Sequence, residues 1–322
     1  MAGRLAKEGY KVFYRRVYIL DSLLHYEEEV WVGKVKTTIN VDEELWKKFS
    51  LLVIKERGYR KKNEIVEQLI REFTEEREEE GRITVDKAVV LAAGLGTRLR
   101  PLTNDTTKSL LRVGSKTILK HQIENLRESG VQEITMVIGH KAEKIKDFCK
   151  ENSWDINFIY NSYYSTSNNL FSLWLARETF DEGFVCLNSD VVFDVEILKS
   201  LLKFEADIAI AVDKKVCVEE DMKVKVKDGT IVQINKSMRP EEAYGEFIGI
   251  AKFSGKGVAQ LIRVLEDMPT DMRRNANLGF GIQKLIDSDS RVWGVDVQRR
   301  FCADVDFVED LMDVRSHFLG KA

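Results

Sequence analysis

The sequence predicts an α/β protein whose larger part has a mainly parallel, mixed sheet and is preceded by a small one-strand, two-helix module. Three observations carry this reading. Apolar strand-like runs alternate with amphipathic helical stretches from about residue 85 onward. The first run, Ala88 to Ala93, empties directly into Gly94 and Gly96. Residues 35–76 carry one alternating strand and two helical patterns, too little chain to bury a core alone. At 322 residues the chain exceeds the usual single domain.

Residues 1–33 are apolar and aromatic without clear periodicity and form an N-terminal extension to which the sequence assigns no role. Residues 34–80 are the module. In Val35–Val41, Val35, Thr37, Ile39 and Val41 share one face while Lys36, Thr38 and Asn40 share the other. Asp42 is placed to cap a helix through Leu45, Trp46, Phe49, Leu52 and Val53 that ends around Gly58. A second helix starts near Lys62, with Ile65, Leu69, Ile70 and Phe73 on its apolar face. The acidic run Glu75–Glu80, closing at Gly81, reads as helix end and solvated linker.

This arrangement resembles the ribbon-helix-helix family of DNA-binding domains, which become stable when two chains intertwine and their strands pair. The resemblance implies a homodimer. It also implies that Lys36, Thr38 and Asn40 point from the ribbon into a major groove of operator DNA while Arg60, Lys61 and Lys62 meet backbone phosphates. A dimerisation module with merely solvated charges is the other reading, and the net charge of −3 gives no global push toward nucleic acid.

Residues 85–322 form the larger domain. Strands are expected at 87–92, 133–138, 156–160, 184–188 and 207–212, and helices near 116–129, 141–151, 168–180, 195–204, 257–267, 276–287 and 307–318. Short connections between alternating elements imply a sheet covered on both faces, with ligands at the C-terminal ends of its strands. Asp228-Gly229, between two alternating runs, signals a hairpin and an antiparallel excursion late in the domain.

Residues 91–108 are the most informative stretch. Gly94 and Gly96 lack Cβ atoms, so backbone N–H groups there can close on phosphate oxygens, and Arg98 and Lys108 add cationic donors. The G-x-x-x-x-G-K-[ST] phosphate loop is missing, and a G-x-G-x-x-G reading fails because residue 99 is Leu. The string Leu91, Ala92, Ala93, Gly94, Gly96, Arg98, Leu99, Pro101, Thr103 and Lys108 resembles the nucleotidyltransferase signature. It departs once, with Thr107 where that family usually has Pro.

The resemblance implies a Rossmann-like nucleotidyltransferase domain. The nucleotide is expected along Ala92, Ala93, Gly94, Leu95, Gly96, Thr97 and Arg98, with Gly139 and Asn168 beyond, and Arg98, Lys108 and Asp190 are the expected catalytic residues. Asp190 ends the apolar run from Phe184, and Asp304-Val-Asp306-Phe-Val-Glu309-Asp310-Leu311 resembles the family's closing element. Asp190 and Asp306 are the candidate ligands of Mg²⁺, which favours one or two carboxylates plus phosphate oxygens; the other reading makes Asp304 or Asp306 a helix cap.

The implied reaction is attack of a phosphomonoester oxygen on the α-phosphorus of a nucleoside triphosphate, with loss of pyrophosphate. Such an oxygen is already ionised at neutral pH, so no general base is needed. In keeping with this, His25, His121, His140 and His317 form no recognisable base-nucleophile pair.

Ser167-Asn168-Asn169-Leu-Phe-Ser172 and Gly245-Glu246-Phe247-Ile248-Gly249 resemble the branch that transfers CMP from CTP to phosphocholine or 2-aminoethylphosphonate. Asn168 then either fixes the nucleotide or caps the following helix. Lys108, Glu246 and Trp293 are the expected acceptor-binding residues, with Tyr163, Tyr164 and Phe301 as further aromatic candidates beside a cationic head group. A sugar-1-phosphate or inositol-1-phosphate acceptor is the enzymatic alternative. A transcriptional regulator whose large domain only senses a nucleotide is the alternative of another class. The four scattered cysteines, with no CxxC pair, read as buried free thiols rather than a zinc site, and the absence of an apolar run long enough for a bilayer and of a signal-peptide pattern argues for a soluble cytoplasmic protein without a membrane partner.

Overall fold

A computed structural model describes residues 41–57, 63–70 and 85–319. The chain divides between Arg77 and Glu78 into two compact units. In the first, helix α1 (Glu43–Arg57) opens on Asp42, whose carboxylate accepts the Leu45 amide at 3.0 Å and satisfies one of the N–H groups a helix start leaves over. Residues 63–70 form a second helical stretch, α2. Val53 is buried, but Leu45, Trp46, Leu51, Leu52, Leu69 and Ile70 stay exposed. The expected ribbon, with Lys36, Thr38 and Asn40, and the basic run Arg60, Lys61 and Lys62 lie outside the described residues.

The second unit begins with β1 (Lys87–Ala92), followed by a small hairpin, β2 (Arg112–Val113) with β3 (Lys116–Thr117), and by α3 (Ile118–Glu128). Then come β4 (Glu133–Ile138), α4 (Ala142–Glu151), β5 (Asn157–Tyr160), α5 (Asn169–Leu175), β6 (Gly183–Asn188), β7 (Val191–Phe193), α6 (Val195–Lys203) and β8 (Ile208–Asp213). The remainder is β9 (Lys223–Lys227), β10 (Thr230–Asn235), β11 (Gly245–Ser254), α7 (Lys256–Asp267), α8 (Thr270–Asn275), α9 (Leu278–Asp287), β12 (Trp293–Asp296), β13 (Cys302–Asp304) and α10 (Val308–Leu319).

Nine of these strands form one mixed sheet in the order β5-β4-β1-β6-β11-β8-β12-β10-β9. The block β5-β4-β1-β6 is parallel, β11 runs antiparallel to both β6 and β8, and β12 is parallel to β8. Strand β1 reads as an unbroken apolar run because both its faces are covered. Val89 and Leu91 pack with Leu170, Leu173 and Ile282 on one side, and Ala88, Val90 and Ala92 with Leu119, Ile123, Ile145 and Leu198 on the other. The β9–β10 turn has Asp228 at φ 50° and Gly229 at φ 76°, the left-handed pair that a two-residue hairpin requires.

Strand direction decides where loops emerge. The C-terminal ends of β1, β6 and β8 lie on one edge of the sheet, and because β11 is antiparallel its first residues, Gly245 and Glu246, join them there, Glu246 pairing with Asp213. A third, smaller cluster of Leu99, Leu111, Val113, Ile118, Val192, Val305, Leu311 and Val314 fastens α10 and β13 onto the segment that follows β1. The carboxyl-terminal part of the chain therefore closes over the same edge.

Strands β2, β3, β7, β11, β12 and β13 were not among the expected elements. The ten-residue β11 sits in the middle of the sheet, but a register shift between Phe247 and Ala251, with Gly249 at φ 75°, interrupts the regular pattern that identifies strands from sequence. The helix expected near 276–287 is α9, which starts at Leu278 because Asn277 caps it through the Phe280 amide at 2.9 Å, and the short helix α8 before it was not expected.

Candidate active site

The loop after β1 turns at Gly96, whose φ of 62° belongs to the left-handed region and whose carbonyl accepts the Thr103 hydroxyl at 2.8 Å. A Cβ on Gly96 would lie 3.3 Å from both Lys108 and Thr103 atoms, so the glycine lets Lys108 pass close beneath the loop. At Gly94 a Cβ would meet nothing within 4 Å, which leaves open space above the backbone for a ligand. Leu99 is buried and anchors the short turn that carries Arg98, while Lys141 ties down the far side of the loop through the Thr103 carbonyl at 2.9 Å.

Lys108 is the hub. Its ammonium donates to Asp190 Oδ2 at 2.8 Å and to Asp306 Oδ1, and Arg98 donates to Asp306 Oδ2 at 2.8 Å. Residues 98, 108, 190 and 306 thus converge although they are far apart in the chain. The two-stranded ladder β7–β13 explains it: Asp304 pairs with Val191, and the Val305 amide donates to the Asp190 carbonyl at 3.0 Å, setting the two aspartates side by side. Buried Gln122 on α3 holds the turn from below through the carbonyls of Asn188 and Val191, each at 2.8 Å. Asp310, in the first turn of α10, reaches back to accept the amides of Asp306 and Phe307 at 2.9 and 2.7 Å, as the third helical residue of a capping box does, and the Asp306 carboxylate faces the cations.

The electrostatics follow from this packing. Burial works against the Lys108 ammonium, but Asp190 and Asp306 more than offset it and hold its pKa above the ordinary lysine value. Burial pushes the Asp306 carboxyl up, yet Lys108 and Arg98 outweigh it and hold it below the usual range. Asp304 is raised well above the usual carboxylate value, by burial first and then by the charges of Asp190 and Glu246.

The cleft encloses about 800 Å³ and continues from the glycine loop toward the ends of β8 and β11. There Lys215 pairs with Glu246 at 2.7 Å and approaches Asp221 at 3.6 Å, with Asp213 and Glu220 also on the wall. On a third side, Asn161, Asn169 and Asn188 form a polar seam. Asn169 donates to Asn188 at 3.0 Å and accepts the Leu278 amide at 2.8 Å.

Of the residues singled out from the sequence, Ala92, Ala93, Gly94, Leu95, Gly96, Thr97, Arg98, Lys108, Asn168, Asp190, Glu246 and Asp306 all line this one cleft. Asn168 also caps α5 through the Asn169 amide at 2.8 Å. Two expectations need correction. Gly139 is not on the cleft surface: a Cβ there would lie 2.5 Å from Tyr164 and 2.9 Å from the Ala93 carbonyl, so the glycine serves close packing behind the loop. Trp293 is not an acceptor residue of this cleft, because β12 runs parallel to β8 and its first residue falls at the opposite sheet edge, pairing with Ala209 and packing against Phe204. Phe301 stacks on His317, and Tyr163 lies over Arg274; Tyr164 alone of the suggested further aromatics reaches the wall.

Sequence reasoning missed Asp213, Lys215, Asp221 and Asn188. Asp213 had a usable signal, since it ends an apolar strand as Asp190 nearly does. Lys215 and Asp221 had none, because only the loop's path brings them to Glu246.

For a divalent cation the residues present fit. Asp190 Oδ1 is buried without a hydrogen-bond partner, and Asp306 stands beside it. Among the described residues no three His, Cys, Asp or Glu side chains form a metal cage, so ligand oxygens would complete the coordination.

Known proteins resemble this chain in sequence and in fold. Residues 87–245 match the nucleotidyl transferase family. Over 248 residues the chain is 27% identical to the CTP:phosphoglutamine cytidylyltransferase of Campylobacter jejuni, covering 70% of this chain and 97% of that protein. Over 99 residues it is 40% identical to the choline-phosphate cytidylyltransferase of Streptococcus pneumoniae, covering 31% of this chain and 42% of that protein. The fold matches the solved inositol-1-phosphate CTP transferase from T. maritima with a TM-score of 0.64 at 21% identity, over 74% of this chain and 97% of that one.

Proposed function

Because the chain carries a domain of the nucleotidyl transferase family over residues 87–245, we propose that it transfers CMP from CTP to a small phosphomonoester or phosphonate, releasing pyrophosphate. The observation that carries this reading is the convergence of Lys108, Asp190, Asp306 and Arg98 at the mouth of the glycine loop. The bond formed joins an acceptor oxygen to the α-phosphorus; the bond broken joins that phosphorus to the bridging oxygen, which departs with its electron pair on pyrophosphate. The acceptor oxygen is already anionic, so the task is to bring two anions together rather than to remove a proton.

The amides of the loop around Gly94 and Gly96 face the triphosphate, Arg98 offers a planar pair of donors, and Lys108 exchanges its carboxylate partners for phosphate oxygens. Mg²⁺ held by Asp190 and Asp306 would supply further charge neutralisation at the reacting phosphate. Asn168 and the adjoining Asn161, Asn169 and Asn188 supply the polar groups for base and ribose. Glu246 is assigned to the acceptor. The cytidylyltransferases among the relatives support CTP and a phosphorylated acceptor with a polar head.

The test is a matrix of nucleoside triphosphates against phosphocholine, phosphoethanolamine, aminoethylphosphonate, sugar-1-phosphates and inositol-1-phosphate, read by pyrophosphate release. CTP with a nitrogenous acceptor is the expected pair; turnover only with sugar phosphates or only with another nucleotide overturns the choice.

For residues 34–80 we propose pairing with a second copy, supported by the apolar side chains that α1 and α2 leave exposed, and through that pairing binding to operator DNA. A gel shift on DNA upstream of its own coding sequence, with Lys36→Ala and Arg60→Ala, checks it; binding indifferent to both substitutions removes the DNA role. Among the described residues no helix is long and apolar enough to cross a membrane, and the four cysteines are free thiols, in keeping with a cytoplasmic reaction.

A further inference from the structure

We infer that the end of the cleft formed by Asp213, Asp221 and Glu246 takes an acceptor bearing an N–H cation, a primary or secondary ammonium, and that Lys215 fills this subsite in the free protein as a displaceable substitute. The inference rests on the transfer reaction proposed above and narrows its substrate class.

The first ground is charge. Asp213, Asp221 and Glu246 gather about Lys215, Glu220 faces Lys236 on the same wall, and the buried Lys223 ammonium beside them is spent on backbone carbonyls. Lys215 does not neutralise the set. Its own pKa is raised, because Glu246, Asp221 and Asp213 together outweigh its burial, while Glu246 and Asp213 remain raised by burial despite it. Carboxylates buried this deeply keep an ammonium partner in the free protein, and an incoming ammonium can take that partner's place.

The second ground is geometry. The Lys215 ammonium already sits at 2.7 Å from Glu246 and 3.6 Å from Asp221, so the subsite accepts a primary ammonium at hydrogen-bonding distance. Its side chain is 40% exposed, whereas those of Glu246 and Asp221 are 15% and 10% exposed. Moving Lys215 out returns it to water, while the carboxylates stay in place. The loop itself need not refold, because the fully buried Lys223 ammonium pins it through the carbonyls of Val218, Glu219 and Asp221 at 3.1, 2.7 and 3.2 Å.

The third ground separates N–H cations from quaternary ones, which have no donors and are held by aromatic faces. The aromatic residues lining the cleft are Tyr164, Phe247 and Phe307; Phe247 is 4% exposed and Phe307 lies under Arg98. None offers a free face beside Glu246.

Full-length protein with CTP and Mg²⁺ should turn over phosphoethanolamine with kcat/KM about tenfold or more above both phosphocholine and ethyl phosphate, since only an N–H cation can take the place of the Lys215 ammonium on Glu246 and Asp221. Lys215→Met should lower the KM for phosphoethanolamine about three- to tenfold, because the competing occupant is gone. Glu246→Gln should raise it and erase the preference over ethyl phosphate. Calorimetric titration of 2-aminoethylphosphonate against ethylphosphonate reads the subsite without catalysis. If no acceptor yields pyrophosphate, the proposed reaction falls, but selective binding of the amine that Lys215→Met tightens still upholds the subsite. Equal binding of the two phosphonates, equal turnover of phosphocholine and phosphoethanolamine, or weaker amine binding in Lys215→Met overturns it.

Discussion

The two ends of the cleft are built on different principles. At the phosphate end, cations and carboxylates are matched: Lys108 and Arg98 engage Asp190 and Asp306, and the backbone at Gly94 and Gly96 is shaped for close approach. At the other end the carboxylates gather about one lysine, and the contributors come from β8, the loop that follows it and β11. Phosphates are held largely by backbone amides, which demand particular residues at particular spacings. A head group is held by side chains, whose meeting depends on strand register and on the path of the loop after β8.

If that division is right, damage at the phosphate end should reduce turnover with every acceptor. Lys108→Met removes the charge shared by Asp190 and Asp306, and kcat should fall about 10²–10³-fold whichever acceptor is used, as measured by pyrophosphate release. The opposite end is struck by Gly245→Ala, whose Cβ would sit 2.3 Å from the Asp213 carbonyl and force β11 from β8. It should cost about 1–3 kcal/mol of stability in urea unfolding and raise the KM for the acceptor more than for CTP. An equal rise in both would blur the two ends into one. Arg98→Lys keeps the charge but loses the planar fork, and about a tenfold loss in kcat/KM for CTP is expected.

The smallest effect compares thiols. Burial raises Cys149, remote on α4, from 9.0 to about 11, and raises Cys302, on the cleft, from 9.0 to about 12 with help from Asp213 and Asp304. A group raised in the folded state contributes stability that is complete below its unfolded pKa and is lost as pH rises through the folded one. Urea midpoints should therefore decline from about pH 9 upward, and Cys149→Ala and Cys302→Ala should each flatten the decline. If Cys302→Ala leaves the slope unchanged, the acidic end is better solvated than its packing implies.

Legibility followed the same line. Strand β1, the glycine loop, Arg98 and Lys108 were readable because their constraint is local. Asp190 was readable from an apolar run that ends in carboxylate, and Asp306 from its resemblance to a closing element. The Asp228-Gly229 hairpin was readable because two consecutive positive φ angles restrict the residue choice. Strand β11 was not, since its bulge at Gly249, where a Cβ would lie 2.7 Å from Asn188, breaks the two-residue rhythm. Trp293 looked like a head-group residue because an aromatic carries no record of which sheet edge it occupies.

By itself the amino-acid order determined the kind of domain, the phosphate loop and the identity of its charged residues, all features that act within a few residues through backbone conformation and apolar periodicity. Only the tertiary structure decided that β13 pairs beside β7, so that Asp306 meets Asp190, and that an antiparallel β11 brings Glu246 to Asp213 and Lys215. Pairing between distant strands depends on burial across the whole sheet, and no local stretch of chain encodes it.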